Sequence, residues 1–159
     1  MVPGASNVVT INPDDDLETG SGRVWTPERN ARAWQRSYQD LEEALKRLRD
    51  ARIVVVCGVQ GSGKTTWIAA QPRSSPVIYF DAALPGIRHR ATLLGIARRH
   101  GAGIDAVWIR TPLDTALERK AGRPADRIVP VAAILSVANQ FEEPTTAEGF
   151  DRVHIVDTG

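Results

Sequence analysis

The sequence predicts an α/β fold: a mostly parallel sheet of about four strands flanked by helices, with an N-terminal helical extension. Three observations carry this expectation. Short runs of β-type apolar residues recur at 53–57, 77–80, 106–109 and 153–156. The stretches between them have helical length and helix boundary signals, so successive strands must be joined by crossovers and run parallel. The first run leads directly into Gly58-Val59-Gln60-Gly61-Ser62-Gly63-Lys64-Thr65, a glycine-rich loop placed between a strand and a helix start.

The elements follow in chain order. Residues 1–22 mix Pro, Gly, Ser, Asn and Asp and read as a flexible acidic leader. Its one apolar patch, Val8-Val9-Thr10-Ile11, is suited to adding a strand at a sheet edge. Residues 23–50 read as an amphipathic helix. Thr26 is a hydroxyl N-cap, Pro27 takes the first helical position and Glu28 faces the positive end of the dipole. Trp34, Tyr38, Leu41, Leu45 and Leu48 then recur at steps of 4, 3, 4 and 3, one apolar stripe that packs on the core. A partner helix is the alternative use of that stripe. Residues 51–159 form the α/β domain, with helices expected over 64–70, 85–100, 112–121 and 130–141 and strand ends gathered on one side.

Composition narrows the class. The 159 residues are enough for one domain with a real core. The 42% apolar and 25% charged content is that of a globular protein, and the formal charge is +1. The charge is unevenly spread. Residues 1–20 carry four acids and no Lys or Arg, whereas 86–130 carry eight Arg and one Lys against four acids. A basic second half suits a polyanionic ligand, although solvated helix faces carry such surpluses too. Cys57 is the single cysteine, so no internal disulfide forms and a buried structural thiol in a cytoplasmic protein is expected. No signal peptide and no membrane span are expected.

The glycine loop is a complete P-loop pattern, and with it the fold expectation becomes that of the P-loop NTPases. In such a loop the backbone N–H groups and the following helix N-terminus cradle phosphates. Gly58, Gln60, Gly61, Ser62, Gly63, Lys64, Thr65 and Thr66 are the candidate nucleotide-binding residues, joined by Arg119. Lys64 reaches the β- and γ-phosphates, and the Thr65 hydroxyl ligates Mg²⁺. ATP and Mg²⁺ are therefore the expected cofactors. Asp81 ends the 77–80 run and would share the sheet edge with the loop, holding Mg²⁺ or taking a proton from an attacking hydroxyl. A turn carboxylate is its bland alternative. The 106–109 run is followed by Arg110 and Thr111 rather than an acid, which leaves Asp81 as the metal candidate.

Arg88, His89 and Arg90 divide evenly between phosphate or acceptor contact and a solvated helix face. Arg119, Lys120, Arg123 and Arg127 surround the Gly122/Pro124 break, where a mobile lid would bring a guanidinium onto the transferring phosphoryl group. Arg123 is the leading candidate for that catalytic role.

Over about residues 53–157 the chain resembles the kinase domain of the phage-type polynucleotide 5′-kinase family, within the P-loop (AAA-type ATP-binding) kinases. The resemblance rests on Gly61-Ser62-Gly63-Lys64-Thr65-Thr66-Trp67 and on Val77-Ile78-Tyr79-Phe80-Asp81-Ala82-Ala83-Leu84-Pro85 with Arg88 and Arg90. It extends through residues 112–123 with Val129-Pro130 and through Glu148-Gly149-Phe150-Asp151. It implies a P-loop kinase-like domain over 51–159 that transfers the ATP γ-phosphate to a hydroxyl, such as a polynucleotide or nucleoside 5′-OH. One departure stands out. In that family a further strand and helices between the P-loop helix and the second acidic motif carry the general base, and here about ten residues separate Ala70 from Asp81. Asp81 then does both jobs, or one of Asp14–Asp16 reaches in from the leader, or the protein binds nucleotide without efficient transfer. A nucleotide-binding regulatory or interaction module and a simple NTPase are the corresponding alternatives. The N-terminal fifty residues are expected to pack over the sheet edge that the shortening exposes.

Overall fold

The computed structural model describes residues 7–19, 22–24, 26–72, 76–121 and 131–158. The chain begins with strand β1 (Val8–Ile11), a 3-10 turn over Pro13–Leu17 and a small antiparallel ribbon, β2 (Glu18–Thr19) with β3 (Gly22–Arg23). Helix α1 (Pro27–Arg47) starts as its sequence dictates, with Thr26 Oγ1 accepting from the Arg29 N–H at 3.1 Å. Lys46 and Arg47 occupy its last turn, where cations suit the dipole. Alternating strands and helices follow: β4 (Arg52–Cys57), α2 (Lys64–Ala69), β5 (Val77–Asp81), α3 (Ile87–His100), β6 (Ile104–Arg110), α4 (Leu113–Ala121), α5 (Val131–Gln140) and β7 (Arg152–Asp157). Among the described residues no helix is long and apolar enough to cross a membrane.

Five strands form one sheet in the order β1-β5-β4-β6-β7, and every pairing is parallel. The expectation of about four strands therefore falls one short. β1 is the addition: Val8 lies opposite Val77 and Ile11 opposite Phe80, so the N-terminal segment occupies the free edge of β5. A four-residue run carries too weak a signal to stand alone as a strand; its partner makes it one.

The central strands β4, β5 and β6 are buried on both faces, which is why they read as continuous apolar runs, whereas β7 at the edge is largely exposed. Ile53, Val55 and Cys57 point to one side, with Ile78 and Phe80, against Leu41 of α1 and Leu93 of α3. Val56, Tyr79 and Val107 point to the other side, against Ile68 of α2. The Trp34–Leu48 stripe of α1 docks on the first face as expected. Its fully buried positions include Ala33, Ser37 and Ala44, small residues that let the helix lie close to its neighbours.

One ion pair fastens the first turns of α3 to the segment before β7. Arg90 is fully buried; its Nε and Nη2 donate to Glu148 Oε1 and Oε2 at 2.9 and 3.0 Å. Nη1 donates to the Leu84 carbonyl at 2.8 Å and Nη2 also to that of Glu142 at 3.0 Å. Removing one member leaves the other charge buried and unpaired, a loss of about 3–5 kcal/mol. Urea denaturation of Arg90→Met and of Glu148→Gln should each show a loss of that size. The Arg90→Met/Glu148→Leu double variant should recover part of it.

Candidate functional site

The carboxyl ends of the strands gather on one side, and the chain leaves β4 towards β5 before crossing back to β6 on its other side. Crevices at such a switch of direction are where open α/β sheets hold ligands. The Gly58–Thr65 loop occupies this place. Gly58 and Gly61 have φ of +150° and +81°, and both lie where a side chain has no room. A Cβ on Gly58 would stand 2.6 Å from the Ile109 carbonyl oxygen, and one on Gly61 2.6 Å from that of Ala116.

The loop's carbonyls are held by donors from the surrounding structure. Lys64 Nζ, buried at the start of α2, donates to Gly58 O at 3.0 Å and Val59 O at 3.1 Å. Arg119 Nη1, from α4, donates to Gly61 O at 3.1 Å and Ser62 O at 3.0 Å. The Ser62 carbonyl also accepts from Thr111 Oγ1 at 3.1 Å and Thr158 Oγ1 at 2.7 Å. Because a trans peptide sets C=O and the next N–H on opposite sides, the Gly63 N–H points away from these three donors. The first-turn N–H groups of α2 have no intrahelical acceptor, and Gly63 gives them no side-chain cap.

At the end of β5, Asp81 is nearly fully buried, and its Oδ2 accepts from Thr65 Oγ1 at 2.8 Å. A cavity of about 510 Å³ opens here. Gln60, Gly61, Gly63, Lys64, Thr65 and Thr66 line it from the loop, and Asp81 from β5. The other wall comes from the N-terminal segment: Thr10, Asn12, Pro13, Asp14 and Asp15, with Trp34 of α1. The Asn12 side chain accepts from the Asp14 N–H at 2.9 Å and its carbonyl from the Asp15 N–H at 3.0 Å, fixing the turn that presents the two acids.

The structure thus brings together Gln60, Gly61, Gly63, Lys64, Thr65, Thr66 and Asp81. Gly58 and Ser62 lie behind the loop, buried, and shape it rather than line the cavity. Arg119 grips the loop from outside. Arg123 and Arg127 lie outside the described residues, as does the side chain of Lys120. Thr65 and Asp81 offer two hard oxygen ligands, and no group of three or more His, Cys, Asp or Glu that could hold a metal is found among the described residues. That donor set fits Mg²⁺, which takes one or two protein ligands together with phosphates and water, and does not fit zinc.

Two sequence candidates have structural work instead. Arg90 is committed to the Glu148 pair. His89 caps the start of α3, its Nδ1 accepting the Gly86 N–H at 3.0 Å. Cys57 is inert as well. Burial pushes its thiol up to about 12, and Sγ–H contacts the Val107 carbonyl at 3.7 Å.

Sequence reading brings one of Asp14–Asp16 to the site as an alternative, but not Thr10, Asn12, Pro13 or Trp34, which complete the second wall. Trp34 was assigned wholly to the core stripe, yet it both packs on Phe80, with ring centroids 5.9 Å apart, and lines the cavity. Asn12 and Thr158 carried no pattern of their own. The available signal was the Val8–Ile11 patch, since a strand there delivers residues 12–15 to the carboxyl edge.

No protein-family model matches the chain, and no curated protein matches it.

Two outcomes test this geometry. Gly61→Ala meets both a left-handed backbone and the Ala116 carbonyl, so it should lose about 2 kcal/mol or more in chemical denaturation. His89 is held below its ordinary value by burial and by the nearby Arg88 and Arg90. The neutral ring is the form that caps α3, so its contribution is complete above about pH 6.5 and is lost as pH falls through the lower folded value. Unfolding free energy measured from pH 8 to 5 should fall less steeply for His89→Gln than for the parent chain.

Proposed function

We propose that the chain is an ATP-dependent phosphotransferase: it binds ATP with Mg²⁺ at the Gly58–Thr65 loop and transfers the γ-phosphate to a hydroxyl. The observation that carries this reading is the Thr65–Asp81 contact beside Lys64 at the mouth of the loop. Hydroxyl, carboxylate and ammonium meet there in the combination that phosphoryl transfer uses. On this reading the loop is a P-loop, the parallel sheet is that of the P-loop NTPases and the likeness to polynucleotide 5′-kinases reflects a shared donor end. The single buried thiol suits a reducing cytoplasm.

Each residue has a role. Lys64 leaves the Gly58 and Val59 carbonyls for the β- and γ-phosphate oxygens, where pairing with an anion replaces two bonds to neutral acceptors. Thr65 and Asp81 would hold Mg²⁺, and the ion would supply charge neutralisation to the triphosphate. Asp81 is thereby committed to the metal, and a carboxylate on the opposite wall, Asp14 or Asp15, takes the acceptor proton. The acceptor oxygen forms its bond to the γ-phosphorus as the β,γ-bridging bond breaks, and ADP departs with that bond's electron pair. Arg119 keeps the loop in shape, and Arg123 is assigned the lid position over the transferring group.

Titration calorimetry with Mg–ATP provides the test. Lys64→Ala should weaken binding at least tenfold, and Asp81→Asn should lose the Mg²⁺-dependent part of the affinity while retaining binding to ATP in EDTA. Incubation with γ-labelled ATP should place label on an organic hydroxyl. Parent-like Mg–ATP affinity in Lys64→Ala would remove the loop from the function.

A further inference from the structure

Resting on the phosphotransferase reading, we infer that Thr158, braced by Thr111, is a positioning residue for the triphosphate. It holds the Ser62–Gly63 peptide so that the Gly63 N–H is presented to a phosphate oxygen. An orphan donor is the first argument. The Gly63 N–H has no acceptor among the described residues, and Gly63 lines the cavity. Its direction is set by the carbonyl across the same trans peptide, so whatever fixes the Ser62 oxygen aims the N–H. The Ser62 side chain does not do this, because its Oγ is buried without a hydrogen-bond partner.

The protons around that oxygen are the second argument. A carbonyl oxygen has two lone pairs. Arg119 Nη1 takes one at 3.0 Å, and Thr158 Oγ1 takes the other at 2.7 Å, closer than Thr111 Oγ1 at 3.1 Å. The two hydroxyls also touch each other, and each has a single proton. With the Thr158 proton on the Ser62 oxygen, the Thr111 proton is shared between the Thr158 and Ser62 oxygens, a three-centre bond. A carbonyl gripped from one side can swivel about its donor; gripped from two sides it cannot. The donors, one of them charged, also polarise the peptide and make the Gly63 N–H across it a stronger donor.

The register of the sheet is the third argument. Arg110 lies opposite Asp157 at the end of the β6–β7 ladder, and their side chains pair at 2.6 and 3.0 Å. The Thr158 N–H then donates to the Arg110 carbonyl at 2.8 Å. The next residue of each strand's exit, Thr111 and Thr158, therefore reaches the loop beside the other. Arg110 and Thr111 stand after β6 where a second acidic motif would place its carboxylate. Here they act from behind the loop, on its carbonyl, and not on a metal.

Calorimetry on the full chain with Mg–ATP, and with Mg²⁺ and inorganic triphosphate, tests the assignment. Thr158→Val keeps the shape of the side chain and removes its donor, so it should weaken both ligands about three- to tenfold, the worth of one hydrogen bond. Thr158→Ser restores the hydroxyl and should bind like the parent. Thr111→Val should lose less, and Thr111→Val/Thr158→Val little more than Thr158→Val alone, because the brace acts through Thr158. The Gly63 amide proton gives a direct readout by NMR. At saturating Mg²⁺ and non-hydrolysable ATP analogue it should move downfield in the parent and in Thr158→Ser, and by a smaller amount in Thr158→Val. A merely structural role would leave that shift in place in a folded variant. Should Thr158→Val not fold, Thr111→Val carries the same two comparisons. Parent-like affinity in the Val variants, an equal loss in Thr158→Ser, fully additive losses, or an unchanged Gly63 shift would each overturn the assignment. Failure of the underlying reading looks different: Mg–ATP then binds Lys64→Ala and the parent equally, or neither.

Discussion

The pairing of β1 with β5 is the constraint on which the described architecture turns. Without it β5 would end the sheet with its N–H and C=O groups bare, the arrangement that invites aggregation. The four ladder positions from Val8–Val77 to Ile11–Phe80 close that edge. They also fix where the chain goes next. A parallel strand must finish on the same side as its neighbour, so Asn12 to Asp15 emerge at the carboxyl end beside Asp81. The cavity therefore owes its second wall to a register: a slip of one residue would turn Val8 and Ile11 out of their clusters and move both acids.

The opposite end of the sheet is built from charge instead of space. Asp105 sits between Arg52 and Arg152, with Nη2 of each donating at 2.8 and 3.1 Å. Burial raises its carboxyl, but the hydrogen bonds from the two guanidinium groups outweigh this and hold it below the ordinary carboxylate range. Asp151 adds contacts to Arg52 and to the Ile104 N–H, each at 3.0 Å. Neighbouring opposite charges there knit β4, β6 and β7 together. At the carboxyl end Arg119 is turned onto loop carbonyls, Arg90 is paired with buried Glu148 and Arg110 with exposed Asp157, and the charged side chains that line the cavity among the described residues are Asp14, Asp15, Asp81 and Lys64.

Much of this was legible in the sequence, for reasons that differ by residue. The α1 start, the four later strands and the loop followed from local rules: capping chemistry, buried apolar runs and glycines where φ is positive. Asp81 followed from its position at a strand end. Arg90 could not be read in this way, because a basic residue on a helix looks the same whether its partner is solvent or Glu148, fifty-eight residues away. The same is true of the Ser62 carbonyl, whose donors come from Thr111, Arg119 and Thr158. Composition likewise counts the charges of 86–130 without their partners: Arg90, Arg99, Arg110 and Arg119 are each engaged within the protein.

The loop's own hydrogen bonds bear on how the proposed donor site would work. Glycine-rich segments are costly to order, since glycine loses more conformational freedom on folding than any other residue. Here that cost falls on folding and not on binding, because Arg119, Thr111 and Thr158 fix the Gly61 and Ser62 carbonyls from outside while Lys64 fixes Gly58 and Val59 from within. Those outer contacts need not change when a triphosphate arrives. Only Lys64 has to exchange partners, and the Thr65 hydroxyl proton has to turn away from Asp81 so that both oxygens can face a cation. A loop ordered in advance spends less of its interaction energy on immobilisation. The clamp on the Ser62 carbonyl therefore belongs to the proposed affinity for nucleotide as much as the lysine does, although none of its three members need touch the ligand.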